Sequence, residues 1–187
     1  GIPLPLYIAI PFTIIAITGI VNSMNIIDGL NGLSSGITII SSFFMLLISH
    51  KLNINAISNI LLILFSCNLG FFLINFFSGK IFLGDGGSYL NGFILSIASI
   101  ILSNTSEDIS PWFFVICLSY PIVDTLFSMY RRSIIKGNSP FKSDKLHIHT
   151  LLFKRIFRDQ TKTTIFILLI SFSFSYIAYI FRQNTLI

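Results

Sequence analysis

Three clusters of polar residues interrupt a chain that is otherwise apolar. They are Asn22-x-x-Asn25-x-x-Asp28-Gly29-x-Asn31-Gly32-Leu33, then Phe82-Leu83-Gly84-Asp85-Gly86-Gly87-Ser88, then Asp144-Lys145-Leu146-His147-Ile148-His149. Carboxylates, carboxamides, imidazoles and glycines in such groups point to a site for a divalent metal and a phosphate-bearing substrate. Mg2+ takes one or two protein carboxylates and shares the rest of its shell with water and phosphate, so one aspartate per loop suits it. Glycines allow a backbone to turn or to approach a ligand closely.

Each cluster also has a plain structural reading. Asp28 could close a turn or cap a helix through its own side chain. The spacing Asn22, Asn25, Asp28 places three polar side chains about one helical turn apart, which favours a ligand-facing stripe. Asp85 opens an apolar segment, where a helix N-cap is the simpler role. The alternative is an anion site at a helix N-terminus with Asp85 as a hard ligand. His147 and His149 could be solvated loop residues, or phosphate contacts beside Lys142 and Lys145. Asp124 lies inside an apolar segment, on one helical face with Arg131, and a structural polar contact is at least as good a reading as a catalytic one. Left in lipid, Asp28, Asp85 and Asp124 would together cost roughly 8–10 kcal/mol. They must therefore sit at helix ends or line a wet cavity.

The elements that position these residues are membrane helices. Of 187 residues, 53% are hydrophobic and 10% charged, and Phe occurs 20 times. Soluble domains carry roughly a quarter charged residues, so the bilayer is the better solvent. Six apolar segments can be read, at about 4–21, 36–49, 56–77, 88–103, 111–130 and 164–181. A span takes about 20 such residues. The expected fold is all-α, a polytopic transmembrane bundle of about six spans, forming a single membrane domain over 1–187. Pro11 and Pro121 fall inside spans, where neighbouring helices can accommodate a kink. Cys67 and Cys117 lie in apolar runs and read as buried small side chains.

With six spans the connections alternate sides. One set, 22–35, 78–87 and 131–163, holds ten of the twelve basic residues, and the other holds Lys51 and Arg182. The positive-inside rule makes the first set cytoplasmic, and all three polar clusters fall in it. The net charge of +5 is thus a matter of topology, and no nucleic-acid partner is expected. In the basic loop 131–163, residues 151–159 alternate apolar and charged pairs, the period of an amphipathic helix lying at headgroup level or packed on the bundle.

Taken together, the clusters resemble the polyprenyl-phosphate N-acetylhexosamine-1-phosphate transferases, glycosyltransferase family 4. The resemblance rests on the first cluster, on Asn75 followed by Phe82-Leu83-Gly84-Asp85-x-Gly87-Ser88, on Pro121-Ile122-Val123-Asp124-Thr125, and on Pro140-Phe141-Lys142-Ser143-Asp144-Lys145-Leu146-His147-Ile148-His149. It implies transfer of a hexosamine 1-phosphate from a UDP-N-acetylhexosamine to a membrane polyprenyl phosphate such as undecaprenyl phosphate. The products would be a polyprenyl-diphosphate-sugar and UMP. It also implies dependence on Mg2+, with Mn2+ as the alternative ion, and a place in a bacterial inner membrane. Asp85 would be the metal ligand. Asp28, Asn75 and Phe82 would meet the uridine end, and His147 and His149 the diphosphate or lipid phosphate. The chemistry would rest on Asp28, Asp85, His147 and His149, with Asn22, Asn25, Asn75, Phe82 and Asp144 as substrate contacts. A homodimer is one assembly open to such a protein.

Two departures from the family pattern bear on this expectation. The family carries an Asp-Asp-x-x-Asp type motif upstream of the first cluster, and this chain has none. It therefore reads as the C-terminal part of a longer transferase, inactive by itself. Thr150 stands where a further histidine is common. The rival readings are a small transporter or channel, whose polar residues should meet at broken helices near the midplane, and a degenerate homologue without catalysis.

Overall fold

The computed structural model describes residues 5–135 and 146–183. No strand occurs among them, and the chain is an all-α bundle. Its helices are α1 (Leu6–Ile26), α2 (Leu33–Lys51), α3 (Asn55–Ser78), α4 (Gly84–Thr105), α5 (Pro111–Cys117), α6 (Ser119–Tyr130), α7 (Ile148–Leu152) and α8 (Gln160–Ile180). Among the described residues five are long and apolar enough to cross a membrane, and α5 with α6 makes a sixth only if the bent pair is counted as one span. The six apolar segments of the sequence thus correspond to six helical units. Helix bonding runs further than the apolar stretches do: α1 continues to Ile26, so Asn22 and Asn25 ride on its last turns.

The expected single span 111–130 differs. It bends by 71° between α5 and α6. Pro121 has no N–H, and its ring crowds the carbonyl four residues earlier, that of Cys117. That carbonyl is satisfied from elsewhere, because the Ser41 hydroxyl of α2 donates to it at 2.8 Å.

Helix α2 is the centre of the bundle and packs on α3, α4, α5 and α8. Ser34, Ser35, Thr38, Ser41, Ser42 and Ser49 are all buried along it. Small residues let membrane helices approach closely where the hydrophobic effect offers little drive. Helix α1 lies on α4 and α6, and a Cβ at Gly92 would stand 2.8 Å from Val21 Cα, so the two backbones nearly touch. Between α3 and α4, Asn68 and Asn91 exchange two carboxamide hydrogen bonds of 3.0 and 2.8 Å, which satisfies both buried side chains.

Residues 151–159 are helical in part. Helix α7 continues as a π-helical turn, Phe153–Phe157, which Arg158 ends in the left-handed region at φ 53. Phe157 packs on Phe166 of α8, while Lys154, Arg155 and Ile156 are exposed. Ile156 thus leaves the apolar face that the sequence period assigned to it. Asp159 then caps α8, accepting from the Lys162 N–H at 2.8 Å.

Candidate functional site

The last turn of α1 meets the first turn of α4. Asn25 donates its Nδ2–H bonds to Asp85 Oδ1 at 2.8 Å and to Ser88 Oγ at 3.0 Å. Two of the polar clusters, sixty residues apart in sequence, are joined there. Asp28 lies in the turn after α1 and is half-buried. Burial first, and the neighbouring Asp85 second, push its carboxyl up from 3.8 to about 6. Two carboxylates close enough to repel could hold a cation between them.

The turn itself is held from α3. Gly32 sits at φ 75, where a side chain would be strained and would also strike Phe76 and Phe72. Its N–H donates to Asn75 Oδ1 at 2.6 Å, and Asn75 Nδ2–H donates to the Ile81 carbonyl at 2.6 Å. One buried carboxamide therefore ties the Asp28 turn to the segment leading into Asp85. Asn31 closes the other side, its carbonyl accepting from the Thr164 hydroxyl of α8 at 3.1 Å.

The third cluster arrives on α6. Asp124 is wholly buried, and its Oδ1 accepts from the Ile148 N–H at 2.7 Å while Oδ2 lies 2.9 Å from His147 Nδ1. Ser128 Oγ is 2.9 Å from the same nitrogen, and Arg131 donates to the Leu146 carbonyl at 2.7 Å. Positions 124, 128 and 131 share one helix face and together grip Leu146–Ile148. His149 is buried, and a Cβ at Gly29 would stand 3.0 Å from its Nε2. The histidine segment thus docks on the Asp28 turn, and all three clusters meet at one end of the bundle.

Asn25, Asp28, Asp85, His147 and His149 are gathered there. Asn22 is turned away: it is exposed, and its Nδ2–H donates to Thr18 O of its own helix at 2.9 Å. The expected stripe Asn22, Asn25, Asp28 is broken because α1 ends at Ile26 and Asp28 leaves the helical register. Asn75 has both ends of its carboxamide committed to backbone, so it shapes the site through Gly32 and Ile81. Phe82 is 81% exposed, its ring open to solvent beside Asp85. Asp144 lies outside the described residues. The grip of Asp124, Ser128 and Arg131 on the histidine segment was not anticipated, although a carboxylate within an apolar span already required donors from somewhere. Among the described residues, no group of three His, Cys, Asp or Glu side chains forms a metal cage.

Residues 1–103, the part from α1 through α4 that carries the first two clusters, match the sequence profile of glycosyl transferase family 4. The chain belongs to that family. The chain is 34% identical over 182 residues to a probable undecaprenyl-phosphate N-acetylglucosaminyl 1-phosphate transferase of Bacillus subtilis, covering 96% of the chain and 50% of the relative. It is 34% identical over 162 residues to an undecaprenyl-phosphate alpha-N-acetylglucosaminyl 1-phosphate transferase of Thermotoga maritima, covering 87% and 48%. It is 31% identical over 166 residues to a decaprenyl-phosphate N-acetylglucosaminephosphotransferase of Mycobacterium tuberculosis, covering 78% and 41%. The chain spans about half the length of the first of these relatives.

Proposed function

We propose that the protein takes part in transfer of an N-acetylhexosamine 1-phosphate from a UDP-sugar to a membrane polyprenyl phosphate. The observation that carries this reading is the meeting of Asp28, Asp85 and the His147–His149 segment at one end of an apolar bundle, where a soluble nucleotide and a lipid phosphate can both reach. An oxygen of the polyprenyl phosphate would attack the β-phosphorus of the UDP-sugar. A new P–O bond forms at the β-phosphorus, the bond from that phosphorus to the bridging oxygen breaks, and the oxygen leaves with the α-phosphate as UMP. The names of the relatives support this reading for the acceptor and the transferred group.

The donor set fits Mg2+, which needs one or two carboxylates and completes its shell with water and phosphate. Asp85 would hold it, with Asp28 alongside, and it would supply neutralisation of the diphosphate charge. Asn25 fixes the Asp85 carboxylate through Oδ1 and leaves its other oxygen for a ligand. Phe82 offers an open aromatic face to the uracil. A cavity of about 630 Å³, lined by Ile116, Val123, Leu152, Phe166, Ile170 and Phe174 among others, runs between α5–α6 and α8 to Ile148, next to His147. Its apolar walls suit a prenyl chain whose phosphate reaches the histidines. A transporter reading is less well served, because Asp28 and Asp85 lie at helix ends and the polar pair inside the bundle, Asn68 with Asn91, is mutually satisfied.

The test is formation of UMP and undecaprenyl-diphosphate-GlcNAc from UDP-GlcNAc, undecaprenyl phosphate and Mg2+. The 187 residues by themselves are expected to give no product. Co-expressed with the half of the Bacillus subtilis relative that they do not match, they are expected to give it. In that assembly Asp85→Ala should abolish turnover, and near-normal turnover would remove the proposed metal role. Absence of product from a folded assembly would overturn the reading.

A further inference from the structure

His147 and His149 are stacked, with ring centroids 5.5 Å apart and planes within 6° of parallel. Both turn the same nitrogen to one carboxylate: Nδ1 of His147 is 2.9 Å from Asp124 Oδ2, and Nδ1 of His149 is 3.5 Å from Oδ1. Each ring, facing the carboxylate through Nδ1, carries its Nε2 on the side away from it. The direction of the His149 ring is shown at Gly29, next to Asp28, where an added Cβ would stand 3.0 Å from Nε2. The second contact is too long for a strong hydrogen bond, yet that buried Nδ1 has no hydrogen-bond partner nearer than the carboxylate.

A carboxylate accepts and cannot donate, and a bare ring nitrogen facing it would set lone pair against lone pair. The proton of each neutral ring therefore belongs on Nδ1, and Nε2 is left available. Ser128 adds to this arrangement, since with a proton on His147 Nδ1 its hydroxyl is an acceptor there.

We propose that Asp124 is a positioning residue that holds both imidazoles in the Nδ1–H form, with Nε2 of His149 directed at the Asp28–Gly29 turn. The identity of the anion it would meet there, a phosphoryl group, rests on the function proposed above. The tautomer and the ring direction do not. Gly29 completes the device, because a side chain at that position would occupy the space into which Nε2 of His149 projects.

The chain has three histidines, so 15N-histidine labelling in nanodiscs resolves every ring. His50, at the far end of α2, serves as the control. At alkaline pH the spectra are expected to show His147 and His149 protonated at Nδ1 and bare at Nε2. Asp124→Asn keeps the shape, and with its carbonyl oxygen held by the Ile148 N–H it turns the new NH2 to His147, so the Nδ1–H signature should be lost at His147 while His149 and His50 are unchanged. In the co-expressed assembly kcat should fall by about 10–100-fold or more, with the KM for UDP-sugar nearly constant. Rings protonated at Nε2 in the unsubstituted chain would overturn the proposal, even if the variant fails to fold. So would wild-type tautomers in a folded Asp124→Asn. If the assembly makes no product while the Nδ1–H signature still depends on Asp124, the function fails and the positioning role stands.

Discussion

At the scale of single residues, Asp28 and Asp85 show how a site is prepared at the cost of fold stability. Asp28, partly enclosed and with the Asp85 carboxylate nearby, resists ionising and is held near 6 from its usual 3.8. Its folded pKa lies above the unfolded one. Its contribution to stability is therefore complete below about pH 4 and is lost as the pH rises through about 6. In a metal chelator, Asp28→Asn should melt at the same temperature as the unsubstituted protein at pH 4 and a few degrees higher at pH 7. Thermal melts across that range check it, and a difference that does not grow with pH would contradict the repulsion. Asn75 makes the complementary point. Its polar atoms are all used in holding Gly32 and Ile81, so it acts on the site through the backbone it fixes.

Among the elements, the pairing of α1 with α4 decides whether Asn25 reaches Asp85. That pairing depends on Gly92, whose added Cβ would stand 2.8 Å from Val21 Cα and 3.3 Å from the Ile20 carbonyl. Gly92→Val should lift α1 off α4, cost about 1–3 kcal/mol of stability and reduce turnover with it. Gly86 is the contrast, since a Cβ there meets nothing within 4 Å, on the open turn beside Asp85. Gly86→Ala should keep or raise stability, by up to about 1 kcal/mol from helix propensity, yet lower turnover by crowding the substrate. Melting temperature and turnover measured together separate the two cases. A Gly86→Ala variant as active as the parent would mean that the substrate does not approach this face. The α5–α6 bend belongs to the same scale, because Pro121 frees a carbonyl and the neighbouring α2 satisfies it through Ser41.

For the whole molecule, six helical units bring the connections carrying Asp28, Asp85 and His147 to one end and those carrying Asn53 and Glu107 to the other. Lys80, Arg131, Arg132, Lys154, Arg155, Arg158 and Lys162 lie with the site, and Lys51 and Arg182 lie opposite. Under the positive-inside rule the site end should be cytoplasmic. Single cysteines at Lys80 and Lys154, with Cys67 and Cys117 replaced by Ala, should label only from the cytoplasmic side. Cysteines at Asn53 and Glu107 should label only from the other. Labelling of Lys80 and Lys154 from opposite sides would break the shared site and the function built on it.

The helical units were legible in the sequence because lipid leaves the backbone no partner but itself, so an apolar run of span length is already a helix. Pro121 marked a kink, and the pattern of basic residues grouped the polar clusters by parity of the connections. What the sequence left open was which polar group meets which. Asp124 could be read against Arg131, seven residues along the same helix. Its actual donors, His147 and Ile148, come back to it over more than twenty residues of intervening chain. Asn22 and Asn25 look equivalent on paper, and only the approach of α4 separates them, giving Asn25 the Asp85 carboxylate and leaving Asn22 to its own helix. Hydropathy is a property of local composition and is written along the chain. Hydrogen-bond partners at a helix end depend on which neighbour the packing delivers, and that is decided by contacts such as Gly92 on Val21.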